Sequence, residues 1–237
     1  MTDVSGEKSS KTEFWEGAAD AMPILVAIIP FGALFGAVAV KSGLDIFSTL
    51  LVSASFYAGA SQFVMLDLWG QQAPAWSIIL AVFAVNFRHV LYSASLSQHL
   101  TRFNPLQKAI GFFFLVDPQF ATAETRAEKG KLKPAYYFGY AAPLYLTWLG
   151  VTWLGAIFGG LIEDPALYGI DFILPLYFMG LVMGFRQRRF FWPILGVSAT
   201  VSLATYFTIG NPWHIAAGGV AGMILGAVLS KPVEANA

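Results

Sequence analysis

The sequence predicts an all-α fold, a polytopic bundle of membrane-spanning helices, on three observations. Of 237 residues, 57% are hydrophobic and only 12% are charged, about half the ~25% that covers the surface of an ordinary soluble domain. Mean hydropathy is +0.62. The charges also cluster between long charge-free runs instead of spreading evenly along the chain. Fourteen basic residues balance fourteen acidic ones, so there is no basic stripe of the kind that displaces counterions from phosphates and no expectation of a nucleic-acid partner. With no cysteine, disulfides, thiolate nucleophiles and thiolate metal sites are excluded. The partner that composition implies is the lipid bilayer.

A hydrocarbon core about 30 Å thick takes roughly 20 apolar residues of helix, so the gaps between charges count the crossings. Residues 1–20 mix Glu7, Lys8, Lys11, Glu13, Glu16 and Asp20 with no short apolar core ahead of a cleavage site; they read as a cytoplasmic tail and not a signal peptide. The runs 21–40 and 46–66 each suffice for one crossing. Run 72–100 is interrupted by Arg88 and His89, and 106–122 is a weaker span holding Asp117. Run 134–162 is a clear span, and 172–185 a short one. Run 190–230 is too long for one crossing and divides at Gly210-Asn211-Pro212, a turn signal. These make eight spans, or seven if 106–122 fails to cross, in one transmembrane domain over 21–230 followed by a C-terminal tail, 231–237.

An N-terminus on the cytoplasmic side places Lys8, Lys11, Arg126, Lys129, Lys131, Lys133, Arg186, Arg188, Arg189 and Lys231 inside and only Lys41, Arg102 and Lys108 outside. That asymmetry follows the positive-inside rule. Glu163, Asp164 and Asp171 then fall in one acidic outer loop.

An internal repeat is also expected. Ala21-Met-Pro23 echoes Ala141-Ala-Pro143, and about 34 residues after each proline Phe56-Tyr-Ala-Gly59 echoes Tyr177-Phe-Met-Gly180. Transporters are often built from two repeats with the substrate site between them; eight spans would make these parallel, seven inverted. Glycines four residues apart, at Gly32/Gly36, Gly155/Gly159, Gly180/Gly184 and Gly218/Gly222/Gly226, read as seams where helix backbones approach closely.

Two stretches carry polar groups where hydrocarbon is expected. In 53–62, Ser53, Ser55, Ser61 and Gln62 accompany Gly59, so the stretch faces protein or water. A locally opened helix at Gly59, Ser61 and Gln62 would present free N–H groups to a carboxylate; pinning of two helices is the structural alternative. In 86–97, helical geometry puts Asn86, His89, Ser93 and Ser97 on one face and Arg88, Tyr92 and Ser95 on the next. An arginine inside a span needs a partner or a watery cavity. His89 is a candidate proton carrier, since histidine changes charge between about pH 5 and 8, or else a hydrogen-bonding strut. Asp117, followed by Pro118 with its missing N–H, lies at a depth where it can pair with Arg88 and take up either an ammonium group or a coupling proton. Glu124 and Arg126 read as the cytoplasmic edge of that span.

No H-E-x-x-H, G-x-S-x-G or phosphate-cradling motif occurs, and His89, His99 and His214 lack metal-ligand spacing. The chain therefore reads as neither an enzyme nor a metal or cofactor protein, and any transport is expected to be driven by gradients. A passive channel for a small polar solute is the alternative that these residues leave open.

Phe56-Tyr-Ala-Gly-Ala-Ser-Gln-Phe63 followed, one span later, by Asn86-Phe-Arg-His-Val-Leu-Tyr92 resembles the AzlC family, the large subunit of branched-chain amino-acid exporters. The resemblance runs from Phe14 to about Ser230. It implies a permease of the bacterial inner membrane that exports branched-chain or other hydrophobic amino acids with a small hydrophobic AzlD-type subunit. It also marks Gly59, Gln62, Asn86, Arg88 and Tyr92 as candidate substrate-binding residues, beside Ser61 from the polar stretch, with Asp117 and His89 as proton-coupling candidates. Where the family pattern leads one to expect an Asp-Glu pair, this chain has Asp117-Pro118, a single acid.

Overall fold

The computed structural model describes residues 9–130, 132–159, 185–210 and 213–229, with isolated positions between 176 and 183. Among the described residues every regular element is a helix: α1 (Ser10–Lys41), α2 (Ile46–Ser55), α3 (Gly59–Gly70), α4 (Ala75–Ser97), α5 (Pro105–Phe113), α6 (Asp117–Lys129), α7 (Pro134–Phe158), α8 (Phe191–Thr208) and α9 (Trp213–Leu229). Four of these, α1, α4, α7 and α8, are long and apolar enough to cross a bilayer. The chain is a helical membrane protein. It divides into two compact units, one drawn from Met1–Leu66 and Asn86–Glu163, the other from Asp67–Val85 and Asp164–Ala237.

The first unit is organised by α1 against α7. Small residues remove the side chains that would hold these helices apart, and the backbones touch. A β-carbon on Gly17 would overlap the Tyr136 carbonyl, one on Gly36 the Thr152 carbonyl, one on Gly139 the Phe14 carbonyl and one on Gly155 the Ala33 carbonyl. Because partner numbers rise together, α1 and α7 run in the same direction. The seam expected at Gly32/Gly36 and Gly155/Gly159 is therefore present and extends back to Gly17 and Gly139. The residues read as a tail are helical from Ser10, where Ser9 Oγ accepts from Thr12 N at 3.3 Å to cap α1.

Two of the expected spans are broken. Run 46–66 divides between α2 and α3 at Phe56 to Ala58, and the freed carbonyls find side chains: Tyr145 Oη donates to Ala54 O at 2.8 Å and Gln62 Nε2 donates to Phe56 O. Run 106–122 divides between α5 and α6, where Tyr137 Oη donates to Gly111 O at 2.7 Å and Gln119 Nε2 donates to Tyr137 O at 3.1 Å. Such satisfaction is what lets a backbone stop being helical away from water. Pro118 consequently opens a helix instead of kinking one. Nor do α5 and α6 form a single crossing, because the chain turns back on itself: Phe103, just ahead of α5, meets Tyr137 edge-on at 5.6 Å and Arg126, near the end of α6, lies 4.3 Å over Tyr136. Both outer ends of the α5–α6 pair thus sit at the start of α7. The eight-span count is corrected accordingly, to four long apolar helices, two broken pairs and the shorter apolar α9 among the described residues.

A capping box holds α5 at its start, with Gln107 N donating to Asn104 Oδ1 at 2.8 Å and Asn104 N to Gln107 Oε1 at 3.0 Å. Asn104→Ala should lower stability by about 1 kcal/mol, measurable as a lower melting temperature of the detergent-solubilised protein with transport unchanged.

In the second unit α8 and α9 pack through Gly218 and Gly222 against Ser198, whose Oγ donates to Gly218 O at 2.8 Å. The division expected near Gly210 is present, with Gly210 at φ +87° between the two helices. Gly180 has no neighbour within 4 Å of a β-carbon among the described residues, and Gly184, its partner in the expected seam, lies outside them. Most of 172–185, the acidic loop Glu163, Asp164 and Asp171, and the echo at Tyr177-Phe178 lie outside the described residues. Pro23 and Pro143 fall inside α1 and α7, but the described residues do not establish a repeat.

Candidate functional site

The two helix breaks meet α4. A cleft of about 180 Å³ is lined by the backbone turn Ser55 to Ala58 on one side, Phe112, Phe113 and Leu115 on the other, and Asn86 and His89 of α4. Its volume is close to that of the ~150 Å³ apolar cavity that admits a benzene-sized guest. Irregular backbone at membrane depth is tolerated where it is buried in protein or lines a cavity, and here both breaks line the same one.

The polar stretch from Ser53 to Gln62 is used in two ways. Ser53 Oγ lies 3.2 Å from Thr152 Oγ1, fully buried, and so pins α2 to α7. Ser61 Oγ lies 2.9 Å from Ala58 O and 2.8 Å from Asn86 Oδ1, so it ties the first turn of α3 to the cleft wall. Gln62 is fully buried and serves the Phe56 carbonyl, with Oε1 left without a hydrogen-bond partner. Gly59 sits where a β-carbon would lie 3.0 Å from Trp148 and 3.2 Å from Phe31. Gly59, Ser61 and Gln62 therefore shape the break without lining the cleft. The opened helix expected at Gly59 is present one step earlier, at Phe56 to Ala58. The first i→i−4 bond across the break runs from Gln62 N to Ala58 O at 3.0 Å, so the N–H groups of Gly59, Ala60 and Ser61 precede the helical ladder. They form the positive end of the α3 dipole.

Arg88 and Asp117 are brought together as expected, with Arg88 Nη1 3.0 Å from Asp117 Oδ1. The same Oδ1 accepts from Tyr92 Oη at 2.9 Å, and the Tyr92 ring stacks on Phe120 at 4.2 Å. One carboxylate thus holds two residues of α4. Asp117 occupies the first turn of α6, where the helix dipole favours a negative charge. Neither Arg88 nor Tyr92 borders the cleft; the adjoining face of α4 does, through Asn86 and His89. His89 Nε2 is buried without a hydrogen-bond partner, and the ring meets Tyr92 edge-on at 5.9 Å. An unpartnered buried nitrogen beside a cleft costs free energy that a polar guest would recover.

The sequence reading missed the aromatic wall of Phe112 and Phe113, because nothing in an apolar run announces that its helix will break there. It also read Glu124 only as the cytoplasmic edge of its span and missed its contact with α4, where Glu124 Oε1 accepts from Ser95 Oγ at 2.7 Å. The spacing that could have shown this is Asp117 and Glu124, seven apart on one face of α6 opposite Arg88, Tyr92 and Ser95.

Comparison with known proteins adds kinship to this geometry. The family model described as AzlC protein matches residues 23–162. The chain is 32% identical to "Inner membrane protein YgaZ" of Escherichia coli (strain K12) over 182 residues, 74% of each chain. It is 32% identical to an "Uncharacterized membrane protein" of Archaeoglobus fulgidus over 161 residues, covering 68% of this chain and 69% of the other. It is 28% identical to an "Uncharacterized membrane protein" of Helicobacter pylori (strain 26695) over 183 residues, covering 74% and 78%. No solved structure matches the chain.

Proposed function

This chain belongs to the AzlC family, and from that premise we propose that it is a secondary transporter. It exports branched-chain or other hydrophobic amino acids across the bacterial inner membrane, uses the proton-motive force, and works with a small AzlD-type subunit. The observation that carries the reading is the cleft where two helix breaks meet Asn86 and the unpartnered His89, one helix face from the Arg88–Asp117 pair.

An amino acid presents two charges and an aliphatic chain, and the cleft has a counterpart for each. Its carboxylate suits the Ser55 to Ala58 turn, which borders the cleft and leads into the positive start of α3, as discontinuous helices in other transporters suit anionic groups. Its ammonium group suits Asn86 Oδ1, and its side chain the Phe112, Phe113 and Leu115 wall. In this reading His89 completes the polar rim, and Asp117 is the proton acceptor whose neutralisation would free Arg88 and Tyr92. Departure of that charge would loosen α4 from α6 and open one side of the cleft.

The chain course supports an arrangement with the N-terminus cytoplasmic, α2–α3 and α5–α6 entering the membrane from opposite sides without crossing, and α1, α4 and α7 crossing. With α5–α6 returning to the side it came from, Arg102 and Lys108 join the other basic residues inside and Lys41 remains outside, which sharpens the positive-inside asymmetry.

The test is efflux of labelled leucine, isoleucine, valine and methionine from cells loaded with dipeptides, expressing this chain alone or with its small subunit. Saturable efflux that needs both subunits is the expected result. Absence of efflux for all four amino acids would overturn the substrate class, and full activity of the chain alone would overturn the requirement for a partner.

A further inference from the structure

Two helices, α4 and α6, run in the same direction and share a ladder of polar contacts longer than the transport reading requires. Arg88 and Tyr92 meet Asp117 at one end. Ser95 and His99 meet Glu124 at the other: Ser95 Oγ donates to Glu124 Oε1 at 2.7 Å, and His99 Nε2 lies 3.7 Å from Glu124 Oε2. Asp117 and Glu124 are separated by two turns of helix, about 10 Å at ~1.5 Å per residue. Between them stand the Tyr92 and Ser95 hydroxyls, each bonded to one carboxylate. His99 keeps 32% of its side chain exposed and Glu124 22%, against 23% for Arg88 and 16% for Asp117, so His99 is the most exposed of the four.

Several neighbouring charges are engaged elsewhere. Arg126 of α6 pairs with Glu13 and Glu16 of α1, at 3.0 and 3.2 Å, and stacks over Tyr136 of α7. Lys133, at the start of α7, lies 3.3 Å from Glu13, and Tyr136 Oη donates to Asp20. Arg102 follows three residues after His99, and Glu128 and Lys129 close α6. A structural pin between α4 and α6 would need only the Ser95 bond. A second acid with a partly exposed histidine beside it gives that end a group that can exchange protons with solution.

We propose that Glu124 and His99, held by Ser95, form a proton-exchange station between Asp117 and the side of the membrane where α4 ends. This rests on the proton-coupled reading above and names the residues through which Asp117 is loaded or emptied. The elementary step is a transfer within the pair: once His99 Nε2 closes from 3.7 Å to hydrogen-bond distance of Glu124 Oε2, the Nε2–H bond of the imidazolium breaks as an O–H bond forms on Oε2, turning an ion pair into two neutral groups. No electrons are exchanged. Ser95 holds Glu124 and Tyr92 holds Asp117 at the two ends of the path, and the proton passes inward from Glu124 to Asp117 across the interval between these two hydroxyls; the reverse order empties Asp117.

The test uses the chain with its small subunit in liposomes and two readouts: accumulation of labelled leucine driven by an imposed proton gradient, and leucine–leucine counterflow without one. Glu124→Gln should lose gradient-driven accumulation by about tenfold or more, equivalent to ~1.4 kcal/mol in a rate, while counterflow stays near the wild-type level. His99→Gln, at a more exposed position, should slow accumulation in the same direction and flatten its dependence on pH near neutrality. Parallel loss of both readouts in Glu124→Gln, with His99→Gln unchanged, would mean a structural pin and overturn the station. Unchanged accumulation in both variants would overturn it as well. If the wild-type protein shows counterflow but no gradient-driven accumulation, the proton-coupled reading itself falls, and the station with it.

Discussion

Replacing Arg88 with Gln and Asp117 with Asn together should give a protein that folds and inserts but exports at least about tenfold less, the change expected from ~1.4 kcal/mol of lost stabilisation. Each single replacement should do worse in a different respect. Arg88→Gln leaves the Asp117 carboxyl with Tyr92 but without its cation, and Asp117→Asn leaves Arg88 facing a neutral amide, with its Nε already buried and unpartnered. Removing one partner of a buried pair costs about 3–5 kcal/mol, because the other charge stays behind, whereas removing both is often nearly neutral. Folded yield in the membrane should therefore fall in the single variants and recover in the double one. Export should recover in none. Recovery of both in the double variant would show that the pair only holds α4 against α6.

The largest loss of stability should come from Gly36→Val. A β-carbon there would overlap the Thr152 carbonyl and lie 2.7 Å from Ala156 N. Both obstacles belong to a helix backbone, which cannot rotate aside as a side chain would. Overpacking costs about 1–3 kcal/mol where neighbours can adjust, and more where they cannot. The α1–α7 contact organises the first unit, so the variant should melt well below wild type and lose its folded fraction on solubilisation. Gly150→Val is the control, since a β-carbon at Gly150 meets nothing within 4 Å among the described residues; its melting temperature should stay near wild type. Thermal denaturation of the solubilised proteins, followed by size-exclusion chromatography, would read both.

The sequence made the membrane character, the long helices and the glycine seams legible, because composition, charge-free length and small-residue spacing are properties of one helix at a time. It also paired Arg88 with Asp117, because an arginine expected to be buried needs an acid and only one stood at a suitable depth. The helix breaks were less legible. Nothing in run 106–122 tells that Tyr137, in another helix, will take the Gly111 carbonyl and let the chain reverse. The role of Glu124 was hidden for the same reason, since it depends on α6 running alongside α4 and on the Ser95 contact. Within the polar stretch, residue types pointed to an opened helix at Gly59, Ser61 and Gln62 but not to its exact place: the chain opens at Phe56 to Ala58, and Gly59 is small to admit Trp148 and Phe31. The cleft walls, Phe112 and Phe113, are ordinary apolar residues until the break beside them exists.

Leucine efflux from dipeptide-loaded cells expressing both subunits, followed before and after collapse of the proton gradient, bears most directly on the proposed transport cycle. Proton-coupled export through the Asn86–His89 cleft would give saturable efflux that falls sharply on collapse, and that falls to the same level in the Arg88→Gln/Asp117→Asn protein without collapse. Efflux that does not saturate and is indifferent to the gradient would instead establish a passive channel and contradict it.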